Sequence, residues 1–236
     1  MSAQNPNPTP QTGIKIKIRG VEVPPKLVLY GPNGAGKSML IRGVLARVVG
    51  RGYNGNDIAA MFVDVEGSAT SVVKIDEADV IQHGVKIFNR DVVNFRDWGD
   101  AAIVNPEVVS RLFIDVYYDK YYDPDRGWRP LSALSYGERR RLAIEAALAA
   151  ADIILIENFE AGLHVDAVVD LIKQIAERDD VVVAAETHSG LVLKAAMRYG
   201  ITAYYVEPLA RLKRIERLDD SQLFARELSA WNAVVV

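Results

Sequence analysis

The chain has 236 residues, half of them hydrophobic and a quarter charged, with a formal net charge of −3. These proportions exclude disorder over most of the length and supply ample apolar material for a core. Twenty-eight basic against 31 acidic residues give no basic surplus of the kind that marks nucleic-acid binding, and the lack of cysteine excludes disulfides, thiolate zinc sites and a cysteine nucleophile.

Residues 1–12 carry Pro6, Pro8 and Pro10 among Asn, Gln and Thr, which reads as a disordered tail without the apolar stretch of a signal peptide. Ile14, Ile16 and Ile18 alternate with Lys15 and Lys17, the period of a half-buried strand. Lys26 to Tyr30 is an apolar run stopped by Gly31-Pro32, a buried strand. Over 37–49, Leu40, Val44, Ala46 and Val48 fall at helical spacing, and Gly50 supplies a C-cap. Ala60 to Val65 is a further buried-strand candidate. Residues 68–134 are less regular and read as a compact inserted lobe. It contains a strand-like piece at Val85 to Phe88, a helical stretch near 106–118 and a Tyr- and Asp-rich loop over 117–129.

Beyond the lobe the pattern sharpens. Helix 136–150 precedes strand Ile153 to Ile156, helix 165–178 precedes strand Val181 to Ala185, and helix 190–198 precedes strand Ala203 to Val206. A terminal helix spans about 220–231. Such alternation predicts an α/β fold with a mostly parallel sheet and helices on both faces, in one domain over 13–236. No run of about 18 uncharged apolar residues occurs, so no membrane span is expected and the default is a soluble cytoplasmic protein.

Gly31-Pro32-Asn33-Gly34-Ala35-Gly36-Lys37-Ser38 matches the phosphate-binding pattern G-x-x-x-x-G-K-[ST] at every fixed position, between a strand and a helix. Glycines let backbone N–H groups wrap phosphate oxygens, and the helix start through Met39 adds partial positive charge. Lys37 adds a full charge, and the Ser38 hydroxyl is a natural Mg2+ ligand. Gly50-x-Gly52-x-x-Gly55 satisfies the dinucleotide fingerprint but follows a helix where the fingerprint requires a strand, so it reads as a cap running into a turn. Ser135 followed by Glu138 has the spacing of a capping box, and a capped helix start also points at anions. The helix after it leads to Ile153-Ile154-Leu155-Ile156-Glu157, a buried strand that delivers an acid at its C-terminal edge. Arg139, Arg140 and Arg141 spread over several helix faces and read as a solvated helix start. Residues 211–217 alternate basic with apolar side chains and read as a strand with one charged face rather than a nucleic-acid surface. His83, His164 and His188 lack the spacing of a metal triad.

The P-loop, LSYGE at 134–138, IILIEN at 153–158 and Glu186-Thr187-His188-Ser189 stand in the motif order of the ABC-type ATPases, and the chain resembles that family from about residue 14 to 206. LSYGE is similar to the family's LSGGQ/E signature, with Tyr136 in place of a glycine. IILIEN resembles Walker B, Ala161-Gly162-Leu163-His164 resembles the D-loop, and His188 resembles the switch histidine that senses the γ-phosphate. Glu138, IENFEAGLH, ETHS and Phe88-Asn89-Arg90-Asp91 resemble the soluble Rad50/SMC/RecF/OLD-like branch. Ser135 follows Lys37 by 98 positions, too short a separation for that branch's long coiled-coil arms.

The resemblance implies a P-loop ATPase head with an N-terminal antiparallel strand region, ATP and Mg2+ as ligands, and Ser38 and Glu157 on the metal. It implies a homodimer formed on ATP, in which Ser135, Gly137 and Glu138 of one subunit meet the nucleotide held by the other. Either Asn89 or Gln82 takes the Q-loop role. The family's Walker B ends in Asp-Glu, whereas here the pair is Glu157-Asn158. Asn158 orients water by hydrogen bonding but takes no proton, which throws the base role onto Glu160 or Glu186, unless these are merely solvated or salt-bridged acids. Asn158, His188 and Glu160 form the candidate catalytic set. The implied function is an ATP-dependent dimer with slow hydrolysis in DNA maintenance, repair or defence, with DNA or an unidentified protein as partner. The alternatives are a non-hydrolysing ATP switch and the nucleotide-binding subunit of a transporter.

Overall fold

The computed structural model describes residues 13–49, 57–69, 72–75, 86–88, 93–96, 100–103, 114–115, 120–123, 126–130, 134–218 and 222–234. The chain opens with β1 (Lys15–Ile18) and β2 (Val21–Val23), an antiparallel hairpin, then enters β3 (Lys26–Tyr30) and helix α1 (Lys37–Val49). A short helix α2 (Asp57–Ala60) leads into β4 (Val63–Glu66), which pairs antiparallel with β1, so that Ile16 faces Val65 and Ile18 faces Val63. Next come β5 (Val72–Ile75) and β6 (Lys86–Phe88), a two-stranded ribbon of β7 (Val93–Arg96) and β8 (Asp100–Ile103), and a small sheet of β9 (Ile114–Asp115), β10 (Lys120–Asp123) and β11 (Gly127–Pro130). The second half runs α3 (Tyr136–Ala150), β12 (Ile153–Ile156), α4 (Val165–Glu177), β13 (Val182–Thr187), α5 (Gly190–Arg198), β14 (Thr202–Glu207), β15 (Arg211–Ile215) and α6 (Gln222–Val234).

Seven of these strands form one sheet in the order β15-β14-β3-β13-β12-β5-β6. The five inner strands are parallel, and the two edges, β15 and β6, are antiparallel to their neighbours. A parallel sheet must be covered on both faces, and the alternation within each strand sorts its side chains between two cores. Leu27 and Leu29 of β3, with Ile153 and Leu155 of β12, pack on one side with Leu40, Ile41 and Val44 of α1 and with Ile14, Ile16 and Ile18. Val28 and Tyr30, with Ile154 and Ile156, pack on the other side against α3, α4 and α5. Helix α4 buries Val168, Leu171, Ile172 and Ile175, the stripe that a 3.6-residue period turns toward a sheet. The sheet is mostly parallel with helices on both faces, as the alternation predicts.

Several local expectations change. Ala60 to Val65 is not a buried central strand. Residues 61–62 form a turn, and β4 begins at Val63 in the smaller sheet, where Asp64 alternates outward. The helical stretch near 106–118 and the loop over 117–129 give way, where described, to β9, β10 and most of β11, because tyrosine and tryptophan suit a pleated surface. β5, within the segment read as the inserted lobe, pairs with β12 in the central sheet. The tail 1–12 and the glycines at 50, 52 and 55 lie outside the described residues.

Candidate functional site

The strand order β3-β13-β12 sets three connecting loops side by side at the carboxyl edge of the sheet, the edge at which α/β sheets bind ligands. β3 feeds the loop from Gly31 through Pro32, Asn33, Gly34, Ala35 and Gly36 into α1, whose first three residues are Lys37, Ser38 and Met39. Gly36 takes φ 104, a conformation open to glycine and little else, and a Cβ there would press on Ala210 Cβ at 3.3 Å.

Lys37 is buried, and its Nζ donates to Gly31 O and Pro32 O at 2.9 Å each. Its third neighbour is His188 Nδ1 at 3.2 Å, and that nitrogen lies 3.0 Å from Gly31 O. Nδ1 thus stands within hydrogen-bond reach of a group that only donates, the ammonium, and of one that only accepts, the carbonyl; the ring's tautomer selects which of the two it bonds. Burial lowers the Lys37 pKa, while the nearby carboxylates of Glu186 and Glu160 oppose the shift.

Three acids approach this corner, in three different settings. Glu157 extends β12 through its N–H to Ile75 O at 2.9 Å. Its carboxylate meets Arg42 of α1 at 3.1 and 3.4 Å and Lys74 of β5 at 3.7 Å. Glu186 is 3% exposed; burial raises its pKa and the Glu157 charge adds to that, while the nearby Ser38 hydroxyl and the Lys37 charge oppose the shift. Glu160 accepts the Thr187 hydroxyl at 2.6 Å and the His188 N–H at 3.0 Å. Neither Glu160 nor Glu186 is a solvated loop acid. Asn158 sits between Glu157 and Glu160 in sequence at φ 48, a left-handed conformation that asparagine tolerates. Among the described residues no three His, Cys, Asp or Glu side chains could hold a metal. The hard oxygens of Ser38 and one or two carboxylates nevertheless fit Mg2+, which binds few protein ligands when phosphates supply the rest.

Ser135 and Glu138 form the expected capping box: Glu138 N–H donates to Ser135 Oγ at 3.3 Å, and Ser135 N–H donates to Glu138 Oε2 at 2.7 Å. A Cβ on Gly137 would overlap Gly162 O, and the Tyr136 ring lies where a Cβ on Gly162 would project, so the helix start and the 157–162 turn interlock. The arginine cluster is not a solvated helix start. Arg140 is 0% exposed, and its guanidinium donates to Glu157 O and Asn158 O at 2.6 Å and to Phe159 O at 3.4 Å. Its sequence position carries a signal that composition hides: Arg140, Ala143, Ile144 and Ala147 are one buried helical stripe. Arg42, Lys74 and Glu227 are also absent from the sequence reading; Glu227 of α6 accepts the Tyr30 hydroxyl at 3.1 Å and the Gly190 N–H at 2.8 Å. His164 caps α4 and is bound to Asp166. Gln82 and Asn89 lie outside the described residues.

Fold and site together define an ABC-type P-loop ATPase. The family model described as "AAA domain, putative AbiEii toxin, Type IV TA system" matches residues 54–194, and the chain belongs to that family. The chain is 33% identical over 140 residues to a "putative ABC transporter ATP-binding protein" of Vibrio vulnificus, a match covering 57% of this chain and 23% of that protein. A protein of the same description from Photobacterium profundum is 26% identical over 179 residues, 72% of this chain and 31% of the other. The chain therefore spans about a quarter to a third of the length of these curated relatives. Among solved structures, "an inward-facing conformation of a putative metal-chelate type ABC transporter" aligns with TM-score 0.53 and 15% identity, over 92% of this chain and 87% of that one. CbiO1 from Clostridium perfringens, part of the ABC transporter complex CbiONQ, aligns with TM-score 0.52 and 12% identity, over 93% and 95%. At such identities these two structures show the shared fold. Among the described residues no helix is long and apolar enough to cross a membrane.

Proposed function

We propose that the chain binds magnesium ATP at the P-loop, pairs head to tail with a second copy around two nucleotides, and reopens after slow hydrolysis. The observation that carries the proposal is the meeting of Lys37 and His188 over Gly31 O, a phosphate-binding cation beside a hydrogen-bonding sensor at one sheet edge. On binding, Lys37 exchanges neutral carbonyl acceptors for phosphate oxygens, and charge-assisted hydrogen bonds are the stronger kind. Glu160 fixes the His188 backbone, which leaves the imidazole to address the terminal phosphate. Bound Mg2+ supplies neutralisation of the charge that develops on the phosphates. Asn158 positions water without removing its proton, so turnover lies well below the ~10 s⁻¹ typical of enzymes. The capped start of α3, with Ser135 and Gly137, is the surface offered to the other subunit's nucleotide.

The work done by the cycle is defence or DNA maintenance; the family's description, which names a type IV toxin–antitoxin system, supports the defence arm. A transporter subunit is the second reading, favoured by the names of the bacterial relatives, and co-purification with a membrane protein would select it. The direct test is calorimetric ATP titration of the wild type and Lys37→Ala, with binding at least about tenfold weaker in the variant, ~1.4 kcal/mol. Unchanged binding sinks the P-loop assignment. Light scattering then asks for an ATP-dependent dimer that Ser135→Arg abolishes; a dimer that persists in the variant sinks the head-to-tail model.

A further inference from the structure

Two carboxylates project from strand ends onto the α1 side of the sheet. Leu155 and Ala184 pack in the core on that side, so Glu157 and Glu186, each two residues further along, face the same way. Their surroundings differ. Glu157 is engaged by Arg42 through both oxygens and by Lys74, a side chain that is itself 8% exposed. A cation drawn to Glu157 would stand beside two fixed positive charges and would compete with a buried lysine for its carboxylate.

Glu186 has the opposite character. Its carboxylate stands close enough to Ser38, the P-loop residue whose type and position suit a metal, for that hydroxyl to favour its charged form. The Glu186 Oε2 oxygen is buried without a hydrogen-bond partner. A carboxylate oxygen withdrawn from water and left unpaired costs free energy, and a hard cation is the ligand that recovers it. Lys37 and His188 stand near enough to influence Glu186 electrostatically, so the acid belongs to the phosphate corner.

We propose that Glu186, at the end of β13, is the carboxylate that holds the divalent cation accompanying the nucleotide, sharing that ion with Ser38. Glu157 is then the acid that ties β12 to α1 and β5. The inference deepens the nucleotide-binding proposal and rests on it. Mg2+ is expected at this position because it takes one or two carboxylates and completes its shell with phosphate and water.

Calorimetric ATP titration in chelator and again in excess Mg2+ separates phosphate binding from cation binding. In chelator, Glu186→Gln should bind ATP as the wild type does, within about threefold, or more tightly, because a buried carboxylate repels phosphate. In Mg2+ it should lose at least about tenfold of the wild type's enhancement, as should Ser38→Ala. Glu186→Asp, a carboxylate one methylene short, should fall between. An enhancement in Glu186→Gln within about twofold of the wild type's, while Ser38→Ala loses it, overturns the proposal. Should Glu186→Gln not fold, full wild-type enhancement in Glu186→Asp overturns it equally. No ATP binding by the wild type in either buffer would instead overturn the nucleotide reading beneath it.

Discussion

Arg140→Met tests how the turn after β12 is held. The guanidinium makes two bonds of 2.6 Å, to Glu157 O and Asn158 O, and a longer one of 3.4 Å to Phe159 O. Hydrogen bonds from a charged donor contribute about 1.5–3 kcal/mol each, so the two short ones amount to about 3–6 kcal/mol. Methionine fills comparable volume and removes the desolvation cost of a fully buried charge, which offsets part of that loss. A net destabilisation of about 2–4 kcal/mol remains, because carbonyls are left without their donor. For a chain of this size each kcal/mol moves the melting temperature by about 2–4 °C, so scanning calorimetry should show a fall of about 4–16 °C. Arg140→Lys keeps the charge but loses the planar fork, and should fall in between. A melting temperature for Arg140→Met within about 2 °C of wild type would refute the reasoning, since it would mean that the turn does not depend on this side chain.

Other perturbations address neighbouring groups. Glu160→Gln presents one acceptor oxygen to two donors, Thr187 Oγ and His188 N–H; phosphate release should drop by about tenfold with ATP affinity within about threefold, and unchanged release would count against the positioning role. The Ser135 N–H holds the Glu138 carboxyl below its ordinary 4.5, so the charged form stabilises the fold above that value and the contribution is lost as pH falls through the lower native pKa. Glu138→Gln should therefore melt lower at neutral pH, with the difference shrinking as pH falls through the lowered native pKa; a difference constant over the whole range would contradict this. At Asn158, aspartate shares asparagine's tolerance of left-handed backbone, while glutamate there meets a penalty of about 1–2 kcal/mol. Both variants should raise phosphate release toward about 10²-fold if a base is what the site lacks, with Asn158→Asp melting closer to wild type. No gain in either variant favours the non-hydrolysing switch.

The P-loop is legible in the sequence because its function fixes residue types at fixed spacings, and the β/α alternation after 134 is legible because burial imposes two distinct periods. Strand ends are less so. β13 runs two residues beyond the apolar run that predicts it, to Glu186 and Thr187, because side chains at the carboxyl edge serve the site rather than the core. Arg140 escapes notice because charge outweighs position in any reading that sends arginine to solvent, although its stripe is apolar on either side. The pairing of Glu157 with Lys74 and Arg42 joins three elements distant in sequence, and no spacing announces it. In the lobe, tyrosine beside aspartate reads as loop, while the antiparallel register that sets position 122 opposite position 128 joins segments whose pairing no local period announces.

The geometry also shows why the short segment from Glu157 to Gly162 is the place where the parts of this site meet. Its first N–H extends the ladder to β5 through Ile75 O, and Phe159 N–H joins β13 through Glu186 O at 2.9 Å. Its carbonyls are gathered by Arg140 from α3, its Glu160 side chain fixes the backbone of His188, and Gly162 fills the space that Gly137 leaves at the helix start. Any shift of α3 at Ser135 and Gly137 must therefore move the turn, because close-packed backbone has no slack to absorb it. A moved turn carries Glu160, and Glu160 carries His188, which touches Lys37. A chain of direct contacts thus runs from the helix start that would face a second subunit to the lysine that would hold phosphate. Within it Arg140 and Glu160 are the two side chains whose removal should uncouple the ends while leaving each end intact.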